Sequence, residues 1–358
     1  MKTQRLNAVL DQMKKEGMNQ MIVSDPYSIF YLTGLMLHTG ERLFALYLNV
    51  DGNHKLFVNE LFPIHEDLGV EQVIFKDTDD SVKVVADGIA NDGVIGVDKT
   101  WPARFLLKLM EYCDKAKYVN GSDIVDGIRQ IKDEEEKELM RKASAMNDEA
   151  VKRLKAAIKG DLTELELDAI LKQIYKDLGA DGLSFDPIIG FAANGANPHG
   201  TPGNRYLKEG DAIILDLGCI KDYYCSDMTR TVFYKSVPEK GREVYNIVRQ
   251  AQQNAIDAVK PGVRYCDIDA AARDYITEKG YGEYFTHRTG HNIGLECHEM
   301  GDVSGVNENV LKPGMIFSIE PGIYLQGDFG VRIEDLVIVT EDGCENLNKH
   351  TKAIVVVG

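Results

Sequence analysis

Apolar residues recur at two different spacings along this chain. Leu6, Val9, Leu10 and Met13 share one helical face near the start, while Asp11, Lys14, Lys15 and Glu16 break any apolar run long enough for a secretory core. The spacing predicts a surface helix over residues 1–17. Up to residue 125, short β-rich runs (Met21-Ile22-Val23, Phe44 to Val50, Lys55 to Val58, Val73 to Phe75 and Gly93 to Val97) alternate with helical patterns. This predicts a small α/β domain over 1–125 and a second domain over 126–358. In the charged stretch from Ile131 to Glu138, Asp133 and Glu136 have the form of a capping box that opens a long helix. Its apolar positions Leu139, Ala143, Met146, Ala150 and Leu154 run toward Gly160. Thr163 with Glu166 then caps a second helix through Leu178.

From Phe185 onward the pattern turns to strands: Ile188 to Phe191, Ala212 to Leu217, Tyr224 to Tyr234, Met315 to Ile319, Val331 to Val339 and a terminal run Ala353 to Val357. Helical segments from Glu239 to Val259 and Cys266 to Lys279 interrupt them. The alternation is too irregular for a doubly wound nucleotide fold, and neither Gly-x-Gly-x-x-Gly nor a P-loop motif occurs. The second domain therefore reads as α+β with antiparallel pairs.

Composition narrows the classes further. At ~150 residues per domain, 358 residues make about two domains, each able to bury a core without staples. Lys+Arg 41 against Asp+Glu 57 leaves a net charge of -16, which repels polyanions and argues against nucleic acid or an anionic membrane as partner. No apolar run approaches the ~20 residues of a membrane span, so a cytoplasmic protein is expected. The six cysteines contain no Cys-x-x-Cys and are expected as reduced, mostly buried thiols. Asn120-Gly121-Ser122 is more simply a turn than a glycosylation acceptor, and the aromatics from Tyr27 to Tyr31 with Thr33-Gly34 read as core packing and a turn.

Two pairs of acids break the pattern. Asp216 and Asp227 flank a midpoint between Lys221 and Asp222. Strands folding back on a two-residue turn there would make the carboxylates a cross-strand pair, with Cβ atoms roughly 4.5–5.5 Å apart. Glu320 and Glu334 repeat the geometry about Gly327, in a turn-rich stretch joining Ser318-Ile319-Glu320 to Arg332-Ile333-Glu334. Like charges directly opposite each other destabilise a sheet, and Lys221-Asp222 lacks the Asn-Gly chemistry of a purely structural hairpin. Ile319, Ile333 and Leu336 put the glutamates in core-like surroundings, where an unpaired charge is costly. Four such acids ask for a divalent cation, and one imidazole widens the choice to manganese, cobalt, zinc or iron.

Three of the eight histidines, His287, His291 and His298, lie within one short segment. An accidental cluster in a solvated loop is the alternative, which the acid pairs weaken. His287 and His291 are four apart, but Arg288 stands where the His-Glu-x-x-His helix has Glu, and Gly290 interrupts it. A mononuclear zinc protease site is therefore not expected.

Together, Asn197-Pro198-His199-Gly200, Asp216-Leu217-Gly218, Ser226-Asp227-Met228-Thr229-Arg230-Thr231, Gly290-His291 with His298-Glu299, Glu320-Pro321-Gly322 and Arg332-Ile333-Glu334-Asp335 resemble the motifs of the pita-bread metallopeptidases. That family includes prolidase, aminopeptidase P, methionine aminopeptidase and creatinase. The likeness spans nearly the whole chain and implies an α+β fold, a pita-bread catalytic domain of the creatinase/aminopeptidase type preceded by a smaller α/β amino-terminal domain. Methionine aminopeptidases usually lack the first domain. By similarity, Asp216 would hold one of two divalent ions, His291 and Glu320 the other, with Asp227 and Glu334 bridging. Manganese is the expected ion, with cobalt and zinc as alternatives. Creatinase uses no metal, so the complete ligand set favours a peptidase. Two positions depart from the family pattern. Asn292 stands where Gly is common, and its tolerance of positive φ is expected to preserve the backbone. Tyr223 replaces a common Gly in the metal hairpin, which leaves the turn type open.

The resemblance implies hydrolysis of the imide bond before proline, most simply in Xaa-Pro dipeptides, by a hydroxide bridging the two ions. Glu320 is the candidate proton acceptor, His298 would stabilise the oxyanion, and His199 would donate a hydrogen bond to substrate or shuttle a proton. His287, Arg288 and Arg332 are candidate substrate-binding residues. Arg288 suits a free carboxylate, and Arg332 is alternatively an orienting group for Asp216 or Asp227. Aminopeptidase P acting on longer peptides is the alternative function, and a non-catalytic peptide- or protein-binding module on the same fold is the alternative class. The expected partners are a small proline-containing peptide and a second copy in a homodimer. His38, Glu41 and Arg42 would reach a neighbouring active site in such a dimer, although a solvated loop is the plainer reading.

Overall fold

The amphipathic start of the chain is helical over Thr3–Lys15 and buries Leu6, Val9 and Met13. The computed structural model describes every residue from Met1 to Gly358 and divides into two compact units, Met1–Arg129 and Gln130–Gly358. The helix Ser122–Arg129 crosses the boundary expected at residue 125 and belongs wholly to the first unit. No helix is long and apolar enough to cross a membrane.

The first unit is built on a six-stranded sheet in the order Glu71–Phe75, Lys55–Asn59, Ala45–Asn49, Gln20–Val23, Val94–Val97, Lys117–Asn120. Five of these strands follow the β-rich runs. The sixth escaped the pattern because its residues are polar or only half buried. The Tyr27–Tyr31 aromatics lie in a helix, Pro26–Thr33, with Tyr31 in the core as expected, and Thr33-Gly34 forms the end of that helix. Asp25 caps it by accepting from Ser28 N, and Gly34 at φ 83° ends it in the left-handed conformation glycine tolerates. Ile22, Tyr47, Phe57, Val85, Ile95 and Leu109 form part of the core between sheet and helices.

In the second unit both capping boxes are present, on helices Glu134–Ala157 and Glu164–Leu178. These helices pack Ala150, Val151, Leu154, Leu167 and Leu171 against Ile189, Ile213, Leu215 and Val232 of a four-stranded sheet. That sheet runs Val356–Val357, Met228–Tyr234, Ala212–Leu217, Ile188–Phe191. Of the terminal run only Val356–Val357 is a strand, and Val356 is half exposed. Helices Glu239–Ala258 and Tyr265–Glu278 pack likewise against a five-stranded sheet running Glu299–Val303, Gly290–Asn292, Ile316–Ile319, Asp335–Val339, Cys344–Asn346. Two helix-backed sheets with antiparallel ladders are the pita-bread architecture.

The two acid-bearing turns turn out differently. Gly322↔Arg332 and Ile319↔Asp335 keep one register about Gly327, which puts Glu320 opposite Glu334 in the gap between two ladders. The aspartate hairpin is shifted. Lys221 pairs with Tyr224, and Asp216 pairs with Thr229, so Asp227 is a diagonal neighbour of Asp216 rather than its direct partner. The turn residues are Asp222 and Tyr223, both at positive φ (51° and 71°), the two-residue arrangement that matches strand twist. The expected strand Tyr224 to Tyr234 accordingly breaks at Ser226-Asp227.

Tyr223 carries a side chain in a conformation that costs roughly 1–2 kcal/mol for a non-glycine residue. Replacing Asp222-Tyr223 with Asn-Gly should raise unfolding stability by about 1 kcal/mol. Denaturant titration of the two proteins checks this, and a lowered midpoint would contradict it.

Candidate active site

Both sheets deliver acids to one cavity of about 470 Å³, whose lining includes Asp216, Asp227, His291, Glu320 and Glu334. Asp216 is the next-to-last residue of an otherwise apolar, buried strand, and Asp227 precedes Met228–Tyr234 across Gly218. A Cβ at Gly218 would lie 2.1 Å from Ser226 O, so only glycine lets the two chain segments approach. Gly290 has the same function beside His291, since a Cβ there would meet Ser318 O at 1.9 Å. Asn292 lies in a strand, not at positive φ. It is held by its side chain, with Nδ2 donating to Met300 O (2.8 Å) and Oδ1 accepting from Tyr265 Oη (2.9 Å).

Ligand atoms of Asp227, His291 and Glu334 lie within 4.8 Å of one another. His291 Nε2 is 3.6 Å from Asp227 Oδ2 and 3.5 Å from Glu320 Oε1. His291 Nδ1 lies 3.2 Å from Asn292 O, a contact that fixes the tautomer by placing the proton on Nδ1 and leaves the Nε2 lone pair facing the acids. Thr229 Oγ1 donates to Glu334 Oε2 (2.7 Å), and Ser318 Oγ donates to Glu320 Oε1 (3.2 Å). Asp216 Oδ1 and Asp227 Oδ1 are buried without any hydrogen-bond partner. Orphaned carboxylate oxygens beside an imidazole lone pair are the donor set a hard or borderline divalent cation takes, so these residues fit a metal centre.

Electrostatics say the same. Burial, then Asp216 and Glu320, hold the Asp227 carboxyl well above its ordinary range; burial, then Asp227, Glu320 and Asp216, do so for Glu334. Burial chiefly, opposed by Arg332 and reinforced by Asp216, raises Glu320 to about 7. Burial, then the neighbouring His298, lowers His291, which keeps the imidazole neutral.

Around the acids runs a chain of hydrogen bonds. Arg332 is 2% exposed and donates through Nη2 to Asp216 Oδ2, through Nε to Thr229 Oγ1 (3.1 Å) and through Nη1 to Tyr324 Oη (2.7 Å). Burial works against the Arg332 charge, but Tyr324, Asp216 and Glu320 outweigh it. Tyr324 Oη continues to His287 Nε2 (2.8 Å), and His287 Nδ1 lies 2.6 Å from Arg288 O. Burial lowers His287 to about 4, so it is a neutral member of this chain. His298 packs edge-on to His291 with ring centroids 4.0 Å apart, and its pKa is also lowered by burial. His199 is exposed on a loop at the cavity, and Arg288 lines it half-buried. All the candidate residues therefore line one cavity, in which Arg332 faces Asp216. His38, Glu41 and Arg42 line a different cavity, in the first unit.

Two residues at the site were missed. Tyr324 joins Arg332 to His287, and Cys297 Sγ lies 3.7 Å from Asp227 Oδ2. The signal for Cys297 was its place beside His298. Tyr324 had none beyond strand alternation. All six cysteines are free thiols; Cys113, Cys219 and Cys225 are buried and the other three partly exposed.

The fold and the site together define a metallopeptidase. The model of metallopeptidase family M24 matches residues 138–341, and that of the creatinase/prolidase N-terminal domain matches residues 5–131. An uncharacterised peptidase of Staphylococcus aureus is 37% identical over 97% of this chain and 99% of its own length. Among solved structures, prolidase from Thermococcus sibiricus superposes with a TM-score of 0.95 at 35% identity, covering 100% of this chain and 99% of that one. An X-Pro aminopeptidase from Thermotoga maritima superposes with a TM-score of 0.84 at 29% identity, over 97% and 100% of the two chains. The chain belongs to metallopeptidase family M24.

The raised carboxyls make stability depend on pH in a definite direction. Without metal, these carboxyls hold more protons in the folded protein than in the unfolded chain between the ordinary carboxylate range near pH 4 and about 7, the value for Glu320. These groups therefore destabilise the fold progressively as pH rises through that window. Mn²⁺ should raise the midpoint several degrees more at pH 7.5 than at pH 5.5, because at the lower value the ion must displace the protons these carboxyls hold. Calorimetric scans with EDTA or Mn²⁺ at both values check this. An ion-induced shift that is larger at pH 5.5 would contradict it.

Proposed function

We propose that this protein is a binuclear Xaa-Pro dipeptidase that cleaves the imide bond before a carboxyl-terminal proline. The observation carrying this reading is that Arg288, a cation suited to a free carboxylate, lines the same cavity as the five donors. A cavity of about 470 Å³ is the size of a small-ligand site, which favours a short peptide. The likeness to a prolidase, greater in identity and superposition than that to the X-Pro aminopeptidase, supports the same choice.

Asp216, Asp227, His291, Glu320 and Glu334 would hold the ions, manganese first, with cobalt and zinc as alternatives. When bound, such a pair supplies an activated water and polarises the scissile carbonyl. Glu320 takes the proton of the attacking water and later delivers it to the departing imino nitrogen. His298 donates a hydrogen bond to the developing oxyanion, and His199 donates one to the substrate backbone. Arg288 receives the substrate carboxylate in a bidentate pair, and His287 closes the pocket beside it. Arg332 orients Asp216, because its donors are engaged with Asp216, Thr229 and Tyr324. The protein would act as a cytoplasmic homodimer.

The test is to strip the metal and assay Ala-Pro, Leu-Pro and a Xaa-Pro tripeptide while adding back manganese, cobalt and zinc in turn. Dipeptide cleavage with the tripeptide at least tenfold slower is the expected outcome. Equal or faster tripeptide cleavage would make the protein an aminopeptidase P, and inertness under every ion would favour a binding module. Arg288→Ala should raise the dipeptide KM about ten- to a hundredfold, the value of a lost charge-assisted pair. An unchanged KM would remove Arg288 from the carboxylate site.

A further inference from the structure

Glu164 is the first residue of the helix Glu164–Leu178 and is 1% exposed, yet it is no part of the donor set or the cavity lining. A buried carboxylate persists only if its oxygens are satisfied, and here three neutral N–H groups do this. Glu164 Oε1 accepts from Phe191 N (2.6 Å); Oε2 accepts from Asn194 Nδ2 (2.8 Å) and Gly203 N (2.7 Å). Phe191 ends the strand Ile188–Phe191, whereas Gly203 lies beyond His199 on the returning chain. One side chain thus joins both ends of segment 192–203. The closure is reinforced where Leu165 N donates to Gly203 O (3.1 Å) and Asn194 Nδ2 donates to Thr201 O (3.1 Å). Ala192 enters the segment at φ 44°, a conformation that must be held in place by its surroundings.

Beyond these anchors, His199 stands on local turns: Gly200 N donates to Asn197 O (3.0 Å), and His199 N donates to Asn197 Oδ1 (3.1 Å). The tip is touched from outside by Gln326 Nε2, donating to Ala196 O (2.7 Å), and by Arg332 Nη1, donating to Pro198 O (3.4 Å), whereas the base of the loop is closed by Glu164. We infer that Glu164 is a positioning residue for His199: it closes the loop at its base and so fixes where the imidazole meets substrate. A negative group in the first turn of a helix is favoured by the helix dipole, so the carboxylate is held at low cost. Glutamine cannot replace it, because its amide would turn N–H groups toward N–H groups at one of the two ends. The ordering entropy of the loop is met in the free enzyme rather than at binding. The inference rests on the peptidase reading for His199 facing substrate.

The experiment compares Glu164→Gln, His199→Ala and the double variant as manganese-loaded, full-length proteins acting on Ala-Pro. Glu164→Gln should lower kcat/KM at least tenfold, and the double variant should fall within about twofold of His199→Ala alone, as expected for residues acting through one another. Losses that multiply would overturn the inference. Mn²⁺ affinity by calorimetry should stay within about threefold of wild type, and a larger loss would make Glu164 a general structural residue instead. Should Glu164→Gln fail to fold, Asn194→Ala removes one donor and should show a smaller loss, again not additive with His199→Ala. Amide exchange at Phe191 and Gly203 in Glu164→Gln should accelerate at least tenfold while strand Ala212–Leu217 stays protected. Unchanged exchange would overturn the inference even in an active enzyme. A wild type inert on every Xaa-Pro substrate would sink the peptidase reading instead, and exchange confined to 191–203 would still bear out the loop closure.

Discussion

Mutual repulsion among buried carboxylates is what the rest of the second unit is organised to withstand. Two like charges ~4 Å apart repel by about 4 kcal/mol at the effective dielectric typical of a protein, and removal from water penalises each one separately. Asp227, Glu320 and Glu334 all show it as carboxyls displaced upward by burial and by one another. One guanidinium, Arg332, is too little compensation for four acids, and it is committed to Asp216. Thr229 and Ser318 each neutralise one oxygen by donation, while an oxygen of Asp216 and one of Asp227 stay without a partner. Divalent metal would answer this arrangement, which is why donor chemistry and family membership point the same way.

Such a site works only if its walls do not yield. The acids sit within or between strands backed by two helix layers, and Glu320 with Glu334 occupies the gap between two ladders that share one register. Behind Glu334 lies a second buried charge cluster. Arg230 donates to Asp335 Oδ1 (2.6 Å) and to Glu334 O (2.6 Å), and Asp335 Oδ2 accepts from Gln252 (2.9 Å), Asn346 (2.8 Å) and Lys352. This network is fully paired, the condition under which buried polar groups stiffen a structure instead of weakening it. The chain from Asp216 through Arg332 and Tyr324 to His287 does the same on the substrate side. The positions of the carboxylates are then fixed by the fold itself.

The glutamate pair was legible because turn and register agree: Gly327 supplies the positive φ the turn requires, and both ladders keep the spacing read from the chain. For the aspartates the same arithmetic misplaced the turn by one residue. Nothing in Lys221-Asp222-Tyr223 marks which two residues take positive φ, and Tyr223 is an unfavourable choice on local grounds. Gly290–Asn292 and Glu299–Val303 were invisible as strands because they are short and mostly polar. The helix Pro26–Thr33 was not legible because its aromatics pack without a clean helical stripe. Tyr324 and Glu164 carry no local sign of their connections, since their partners lie far away in the chain or across a loop.

Local chemistry settled much of the rest. Capping boxes, apolar periodicity and the four acids with one imidazole are properties of neighbouring residues, and they are enough to define helices, fold class and a metal-binding composition. Which oxygen faces which nitrogen is a property of packing. The diagonal offset of Asp227, the engagement of Arg332 with Asp216, the His287–Tyr324 link and the Glu164 closure all depend on contacts between segments far apart along the chain. No local propensity encodes such contacts, because their geometry exists only once both sheets have closed around the cavity.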